Sequence, residues 1–319
     1  MSFRFGVIMD PIAGIKVKKD TSFAFMLTAQ RKGWEVYYLR QEDLFLEGGI
    51  VYATCSRIEV RDDPKDWYTL LDAKTLPLHE LDMVIMRKDP PVDAAFVTTT
   101  HLLDLAEARG LLVANRPASL RDCNEKLFAT HFPELCPPLR VSSDPAKLAD
   151  FHAQHRDVIF KPLDGMGGRS IFRVQDDAQN LNVILETLTE NGTRCIMAQT
   201  YLPEIRQGDK RILMVFGEPV PFALARIPTG REHRGNLAAG GTGEGRPLTA
   251  RDREICARIG PELMRRGLYF VGLDVIGDHL TEINVTSPTC LRELESQFGV
   301  AIADDFLDKL ARLRGTSAA

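Results

Sequence analysis

The segment YFVGLDVIGDHLTEINV, residues 269–285, carries the strongest structural signal in this 319-residue chain. Two apolar runs flank Gly277-Asp278-His279, which is typical of a β-hairpin with a short turn. A three-residue turn at this position pairs Ile276 with Leu280. The segment therefore predicts an antiparallel hairpin whose side chains alternate between two faces.

This register places polar side chains together on one face of the hairpin. Asp274 lies opposite Glu282, and Asn284 shares the face of Glu282. A slip by one residue would bury Glu282 among apolar side chains, so burial fixes the register. The apolar face comprises Val271, Leu273, Val275, Ile283 and Val285. Hard oxygen ligands on a rigid hairpin suit Mg²⁺ held jointly with phosphate, whereas an ordinary amphipathic hairpin with a solvated polar face is the alternative.

A second hairpin is predicted just upstream, where residues 211–216 and 220–227 flank Gly217-Glu218-Pro219. Arg211 and Arg226 lie on its two strands, among apolar neighbours. Arginine suits bidentate contact with carboxylate or phosphate. Two solvent-exposed strand arginines are the alternative interpretation.

A glycine-rich turn occupies residues 162–168, between predicted strands at 158–161 and 170–174. Glycines let backbone N–H groups approach phosphate oxygens, and Lys161 at the end of the first strand supplies a point charge. The segment is not a Walker A loop, because GK[ST] is absent and a strand follows it. A plain tight turn is the alternative.

The stretch PTGREHRGNLAAGGTGEGR, residues 228–246, has many glycines and few large apolar residues. A loop of this length within a compact domain is either a disordered insertion or a functional lid. Arg231 and Arg234 favour a lid that closes on an anion.

The first part of the chain has a different pattern. Predicted strands at residues 3–9 and 35–39 enclose a helix that Asp20 can cap, and this order implies a parallel sheet. Ligands of such sheets bind beyond the carboxyl ends of the strands. The loops at residues 10–19 and 87–91 are therefore the candidates in this part. Further buried strands are predicted at residues 82–86 and 111–114.

Composition excludes several classes of protein. The formal net charge of −4 gives no reason to expect nucleic acid as a partner. The six cysteines form no CxxC pair, which favours reduced thiols and a cytoplasmic location. The sequence contains no evident signal peptide and no apolar stretch long enough to span a bilayer, so we expect no membrane partner.

Taken together, these segments resemble the ATP-grasp superfamily, and within it the bacterial glutathione synthetases. A lysine strand, a glycine-rich flap, a hinge strand, an arginine hairpin and a D…E-x-N hairpin follow one another in the order of that superfamily. The blocks that resemble the narrower family are MDPIAGIKVKKDTSFAFMLTAQRKG (9–33), MRKDPP (86–91), NRPASLRDCNEKL (115–127), KPLDGMGGRSIFRV (161–174), RGNLAAGG (234–241) and LTEINVTSPTC (280–290).

The resemblance implies a fold and a nucleotide site. The fold is an N-terminal open parallel α/β domain followed by an ATP-grasp fold of two α+β subdomains, divided as residues 1–122, 123–200 and 201–319, with a lid at 228–246. ATP phosphates would bind Lys126 and Lys161 beneath the flap. The flap residues are Gly165, Met166, Gly167 and Gly168, and the hinge residues expected near adenine are Gln199, Thr200, Tyr201 and Leu202.

The resemblance also implies the remaining site residues. Arg211, Arg226 and Lys161 would act in catalysis, the two arginines holding the reacting carboxylate and its tetrahedral adduct. Asp274, Glu282 and Asn284 would hold Mg²⁺, as two ions for which Mn²⁺ could substitute. The residues expected at the substrate are Arg87, Asp209, Arg211, Arg226, Arg234, Asn284, Ser287 and Thr289.

The implied reaction joins γ-glutamylcysteine to glycine, giving glutathione, ADP and phosphate, in a cytoplasmic homotetramer. Alternatives are a ligase of the same superfamily acting on a D-amino acid or a protein C-terminal glutamate, an ATP-binding module without ligase activity, and a small-molecule kinase. Retention of MRKDPP, the lid at residues 228–246 and NVTSPT argues against a non-catalytic module.

Overall fold

The computed structural model describes residues 2–228 and 242–317 of the chain. The first sheet is built on four parallel strands in the order β2-β1-β6-β7. The strands are β1 (Arg4–Ile8), β2 (Glu35–Leu39), β6 (Met83–Met86) and β7 (Leu112–Ala114). The sequence-based prediction of an open parallel α/β arrangement at the N-terminus is therefore confirmed.

Helices cover both faces of this parallel core. Asp20 caps α1 (Thr21–Arg31) by accepting a hydrogen bond from the Phe23 amide, as its sequence predicts. Helix α2 (Ala94–Glu107) packs on the opposite face. Because both faces are covered, all four residues of β6 are buried.

An antiparallel meander extends the sheet, which the sequence did not reveal. It comprises β3 (Leu44–Glu47), β4 (Ile50–Val60) and β5 (Tyr68–Pro77), with β4 antiparallel to β2. Most of β5 is solvent-exposed, so its sequence lacks the apolar alternation that identifies a half-buried strand.

The second sheet has the strand order β10-β9-β11-β8 and forms the central part of the chain. Helix α3 (Pro117–Asp122) leads into it, and helices α4 (Pro145–His155) and α5 (Leu181–Thr189) pack against its apolar core. The strands are β8 (Leu139–Ser142), β9 (Val158–Pro162), β10 (Phe172–Val174) and β11 (Ile196–Thr200).

The third sheet has the order β14-β13-β12-β15-β16 and is antiparallel throughout. Its strands are β12 (Asp209–Val215), β13 (Glu218–Ile227), β14 (Thr242–Pro247), β15 (Phe270–Ile276) and β16 (His279–Asn284). Helix α6 (Ala250–Arg266) connects β14 to β15, and α7 (Leu291–Phe298) and α8 (Ile302–Ser317) follow β16.

Two turns differ from the sequence-based prediction. The β15–β16 turn has two residues, Gly277 and Asp278, so Ile276 pairs with His279 rather than with Leu280. A bulge at Thr281 then restores the predicted pairing of Asp274 with Glu282. The β12–β13 turn is likewise shorter than expected, because Glu218 already belongs to β13.

The predicted lid at residues 228–246 is wrong at its C-terminal end. Residues 242–246 belong to β14, which pairs with β13 along the edge of the third sheet. Residues 229–241, which include Arg231 and Arg234, lie outside the described residues.

The C-terminal helix α8 returns to the first sheet and packs on α1. The rings of Phe306 and Phe25 lie 4.8 Å apart, and Lys32 forms ion pairs with Asp304 and Asp308. None of the helices in residues 2–228 and 242–317 has the length and apolar composition needed to cross a bilayer.

Candidate active site

Cross-strand pairs of the third sheet build an array of charged side chains. Arg211 on β12 lies directly opposite Asp274 on β15, and Asp209 lies opposite Arg226 on β13. Directly opposed residues share a face of the sheet. The four side chains therefore form two buried ion pairs on one face.

Hydrogen bonds join these two pairs. The Arg211 guanidinium donates to both oxygens of Asp274, and the second contact, from Nη2 to Oδ2, measures 3.0 Å. Arg226 Nη2 lies 2.9 Å from Asp274 Oδ2 and also donates to Asp209 Oδ2. Although burial opposes the effect, the two guanidinium groups hold the pKa of Asp274 below its usual range. Arg211 and Arg226 are thus charged, and the orientation of each guanidinium group is fixed by these contacts.

Asp209 has a different environment from that of Asp274. Burial raises the pKa of Asp209 to about 7, and the neighbouring Asp274 charge adds to the effect of burial. Its Oδ1 atom is buried and has no hydrogen-bond partner among the described residues. An unpaired buried acceptor of this kind commonly marks a functional site.

Two lysines converge on the carboxylate of Glu282. Lys126 Nζ and Lys161 Nζ lie 3.5 Å and 3.6 Å from Glu282 Oε1. Burial lowers the pKa of Lys161. Two cations that share one carboxylate leave positive charge for an anionic ligand such as a phosphate group.

The glycine-rich turn covers these lysines. Lys126 Nζ donates to the Gly165 carbonyl at 2.7 Å. Gly167 and Gly168 have φ values of +64° and +78°, a backbone conformation that favours glycine. Lys126 lies in a turn held by Asn124, whose side-chain oxygen accepts hydrogen bonds from the amides of Lys126 and Leu127.

The hinge strand β11 contributes the far wall of the cleft. Gln199, Tyr201 and Leu202 line the same cavity as the lysines, whereas Thr200 does not. The Gln199 Oε1 atom is buried and has no hydrogen-bond partner among the described residues. It can accept a hydrogen bond from a ligand amine, such as the exocyclic amine of adenine.

The three side chains predicted to bind a metal ion, Asp274, Glu282 and Asn284, line this cavity together. Asp274 Oδ1 accepts one hydrogen bond and keeps a second lone pair. Asn284 donates its side-chain N–H to the Gly272 carbonyl, which leaves the Asn284 Oδ1 atom available to a ligand. Glu282 contributes a carboxylate whose nearest partners are the two lysines. No cluster of three or more His, Cys, Asp or Glu that could hold a metal ion occurs in residues 2–228 and 242–317. The mixed set of two carboxylates and one amide nonetheless fits Mg²⁺ shared with phosphate.

A second cavity adjoins the first and opens toward the first sheet. Arg87, Arg226, Ser287 and Thr289 line it, and Arg211 and Asn284 line both cavities. The predicted ligand loops at residues 10–19 and 87–91 form its opposite wall, through Asp10, Pro11, Gly14, Ile15, Lys16, Lys19, Arg87, Asp89 and Pro90.

Arg87 is a buried cation of this second cavity. It donates to Ser22 Oγ at 3.2 Å and to the Pro288 carbonyl at 2.7 Å. Burial lowers its pKa to about 10. Ser287 donates to Asp89 Oδ1 at 2.6 Å, so the turn after β16 is tied to the loop that carries Arg87.

The structure thus brings nearly all the predicted site residues to two connected cavities. Thr200 lies outside both walls, and Arg234 lies outside the described residues. Sequence reasoning missed Glu125, which lines both cavities. A glutamate beside a lysine in a polar turn gives no sequence signal of its own, because its partners are about 160 residues away along the chain.

Comparisons with known proteins show which family the chain resembles over its length. The N-terminal domain of prokaryotic glutathione synthetase matches residues 3–121, and the ATP-grasp domain of the same family matches residues 125–299. A glutathione synthetase of Pseudomonas aeruginosa is 57% identical over 311 residues, which is 98% of each chain. The glutathione synthetase of Escherichia coli strain K12 is 54% identical over 312 residues, covering 98% of this chain and 99% of that protein.

A solved structure of more distant sequence has the same fold. The ATP-grasp ligase PsnB, complexed with a minimal precursor, Mg and ADP, superposes with a TM-score of 0.63 at 17% identity, over 98% of both chains. At that identity the likeness concerns the fold.

Proposed function

The chain belongs to the prokaryotic glutathione synthetase family, and we propose that it joins γ-glutamylcysteine to glycine with ATP, yielding glutathione, ADP and phosphate. The observation that carries the proposal is the pair of connected cavities. One is lined by Lys126 and Lys161 and suits a nucleotide, the other is lined by Arg87 and suits an anionic peptide, and they meet at Arg211.

The chemistry requires an activated carboxylate. A carboxylate is a poor acyl donor, because its oxygen is a poor leaving group. Transfer of the γ-phosphoryl group of ATP to the cysteinyl carboxylate forms an acyl phosphate, whose leaving group is phosphate. Such a transfer depends mainly on positioning and on neutralisation of charge, which Lys126 and Lys161 supply.

Arg211 and Arg226 act in the second step. The glycine amine attacks the acyl phosphate, and negative charge grows on the carbonyl oxygen of the tetrahedral adduct. Both guanidinium groups are held in place by Asp274, so they stabilise that charge without reorganising. When the adduct collapses, the carbon–oxygen bond to the phosphate breaks, phosphate departs, and the proton lost by the amine passes to solvent.

The metal ligands are part of the proposal. Asp274, Glu282 and Asn284 would hold two Mg²⁺ ions, which Mn²⁺ could replace. When bound, the metal neutralises charge on the phosphate oxygens of ATP. The fit of their three oxygens to a hard cation supports this assignment.

Further features complete the proposal. Residues 228–241 would close over the substrates and exclude water, which would otherwise hydrolyse the acyl phosphate. The chain would divide into domains at residues 1–122, 123–200 and 201–319 and assemble as a homotetramer. Six unpaired cysteines support a cytoplasmic location.

Phosphate release tests the function directly. We expect release from Mg-ATP only when γ-glutamylcysteine and glycine are both present, with glutathione formed in equal amount. Release with glycine omitted would indicate a hydrolase or kinase. Tight ATP binding without release would indicate a different acceptor pair or a non-catalytic module, which a screen of dipeptides and amino acids would distinguish.

A further inference from the structure

We propose that Glu125 is a positioning residue that fixes residues 285–289, the substrate turn, against the nucleotide cavity. The inference depends on the proposed function, because the substrate turn carries two residues predicted to contact the substrate, Ser287 and Thr289. It adds a residue that bridges the two halves of the site and that the sequence did not identify.

The contacts of Glu125 are concentrated on one short segment. Its Oε1 atom accepts from the Val285 amide at 2.9 Å, from the Thr286 amide at 3.1 Å and from Thr286 Oγ1 at 2.9 Å. Its backbone carbonyl accepts from the Ile283 amide at 2.9 Å. Four hydrogen bonds therefore attach one residue to the end of β16.

These hydrogen bonds take the place of strand pairing just beyond the end of β16. The last residue of β16 is Asn284, so the amides of Val285 and Thr286 no longer belong to a ladder. Val285 is fully buried and Thr286 is nearly so. Buried amides need an acceptor, and the Glu125 carboxylate provides it for both.

Glu125 lies between the cavity proposed for ATP and the cavity proposed for the peptide. It precedes Lys126, whose ammonium lies 3.5 Å from Glu282, and it lines both cavities. The substrate turn on its other side is anchored at its far end, where Ser287 donates to Asp89. Loss of the carboxylate would leave the Val285 and Thr286 amides without their acceptor, while the Val285 carbonyl would keep its hydrogen bond from Asn115 Nδ2 at 2.8 Å.

Lys126 is held by hydrogen bonds that do not involve the Glu125 carboxylate. The Asn124 side chain accepts the Lys126 amide at 3.1 Å, and Gly165 accepts the ammonium at 2.7 Å. ATP binding should therefore survive the loss of Glu125, whereas the placement of the peptide carboxylate relative to ATP should not. This difference separates positioning from a general loss of stability.

The test compares Glu125→Gln with Glu125→Ala in the full chain. A glutamine carbonyl oxygen can take the place of Oε1 as the acceptor, so Glu125→Gln should keep kcat/KM for γ-glutamylcysteine within about threefold. Glu125→Ala should lower it by about 10²-fold, as expected for a misplaced substrate. The Kd for ATP alone should change by less than about threefold in both variants, measured by calorimetry. Thr286→Val removes one of the three bonds and should give an intermediate loss.

Hydrogen exchange supplies a readout that needs no activity. The Val285 and Thr286 amides should exchange faster in Glu125→Ala and at the wild-type rate in Glu125→Gln. If wild-type protein makes no glutathione, the proposed function fails while this exchange result still tests the placement of the turn.

Three results would overturn the proposal. Equal kcat/KM in Glu125→Ala and wild type would remove the positioning role. A Glu125→Gln variant as inactive as Glu125→Ala would show that the charge acts, as in proton transfer, rather than the geometry. If Glu125→Ala does not fold, wild-type values of kcat/KM and amide exchange in Thr286→Val would count against the role.

Discussion

Arg226 illustrates how a single side chain gains its role from its neighbours. It is buried between Asp209 and Asp274, so its guanidinium is charged and its orientation is fixed by two carboxylates. In the proposed reaction, a preorganised donor of this kind would contribute to rate, because it would stabilise charge that develops only in the transition state.

We therefore expect Arg226→Lys to lower kcat by about 10²–10³, since an ammonium cannot reproduce both contacts. Single-turnover formation of glutathione measures the effect. Arg258→Lys is the matched control, because that exposed arginine pairs with Glu134 and lines neither cavity. Near-normal kcat in Arg226→Lys would remove the residue from the mechanism.

Glu107 gives a prediction about pH and stability. Burial raises its pKa to about 7 from an ordinary value of 4.5. The folded state then binds this proton more tightly than the unfolded state does, so its contribution to stability is full below about 4.5 and is lost as pH rises through about 7.

Glu107→Gln removes that titration. The free energy of unfolding should therefore fall less steeply between pH 5 and pH 8 in the variant than in wild type, as measured by urea titrations. Parallel curves for the two proteins over this range would contradict the assignment.

At the scale of an element, the β15–β16 hairpin combines a fold-determining core with a functional face. Leu273, Val275 and Ile283 are fully buried on one face, while Asp274, Glu282 and Asn284 line the cavity on the other. Gly272 keeps this face open, since a Cβ there would lie 2.7 Å from Arg211 Cδ and 2.9 Å from Pro288 Cβ.

Gly272→Ala should thus displace Arg211 and lower kcat by at least about tenfold, because small displacements of catalytic groups are costly. Gly6→Ala is a matched control on β1, where a Cβ would lie 2.8 Å from Leu81 Cδ1 in the apolar core. Both variants should lose stability by about 1–3 kcal/mol from overpacking. A Gly6→Ala variant with the same loss of kcat would show that the effect is not local to the site.

At the scale of the whole molecule, α8 packs against both the first and the third sheet regions. The Phe306 ring contacts Phe25 on α1 and, with centroids 5.3 Å apart, Phe270 on β15. One apolar cluster therefore includes side chains from the first and the third sheets. A shared core of this kind favours a single cooperative unfolding transition.

Phe306→Ala should lower the free energy of unfolding by about 3–5 kcal/mol, the range for a buried phenylalanine. Lys309→Ala on the same helix breaks only an exposed pair with Asp305 and should change it by less than about 0.5 kcal/mol. Calorimetry measures both. Separate transitions for the N- and C-terminal parts in wild type would contradict a shared core.

The sequence by itself determined the elements whose patterns are local. The Asp20 cap, the parallel strands, the polar and apolar faces of residues 269–285 and the glycine-rich turn all follow from periodicity and turn chemistry within short segments. Family resemblance added the predicted roles of the site residues, which short-range patterns alone left open.

Only the tertiary structure decided how distant segments meet. The bond from Glu125 to Thr286, the ion pair between Arg226 and Asp274 and the return of α8 to α1 join residues far apart along the chain. Local sequence does not encode such contacts, because they depend on how the sheets pack. The exposed strand β5 was missed for a related reason: a strand with both faces in solvent needs no apolar alternation, and its pairing with β4 is a product of the fold.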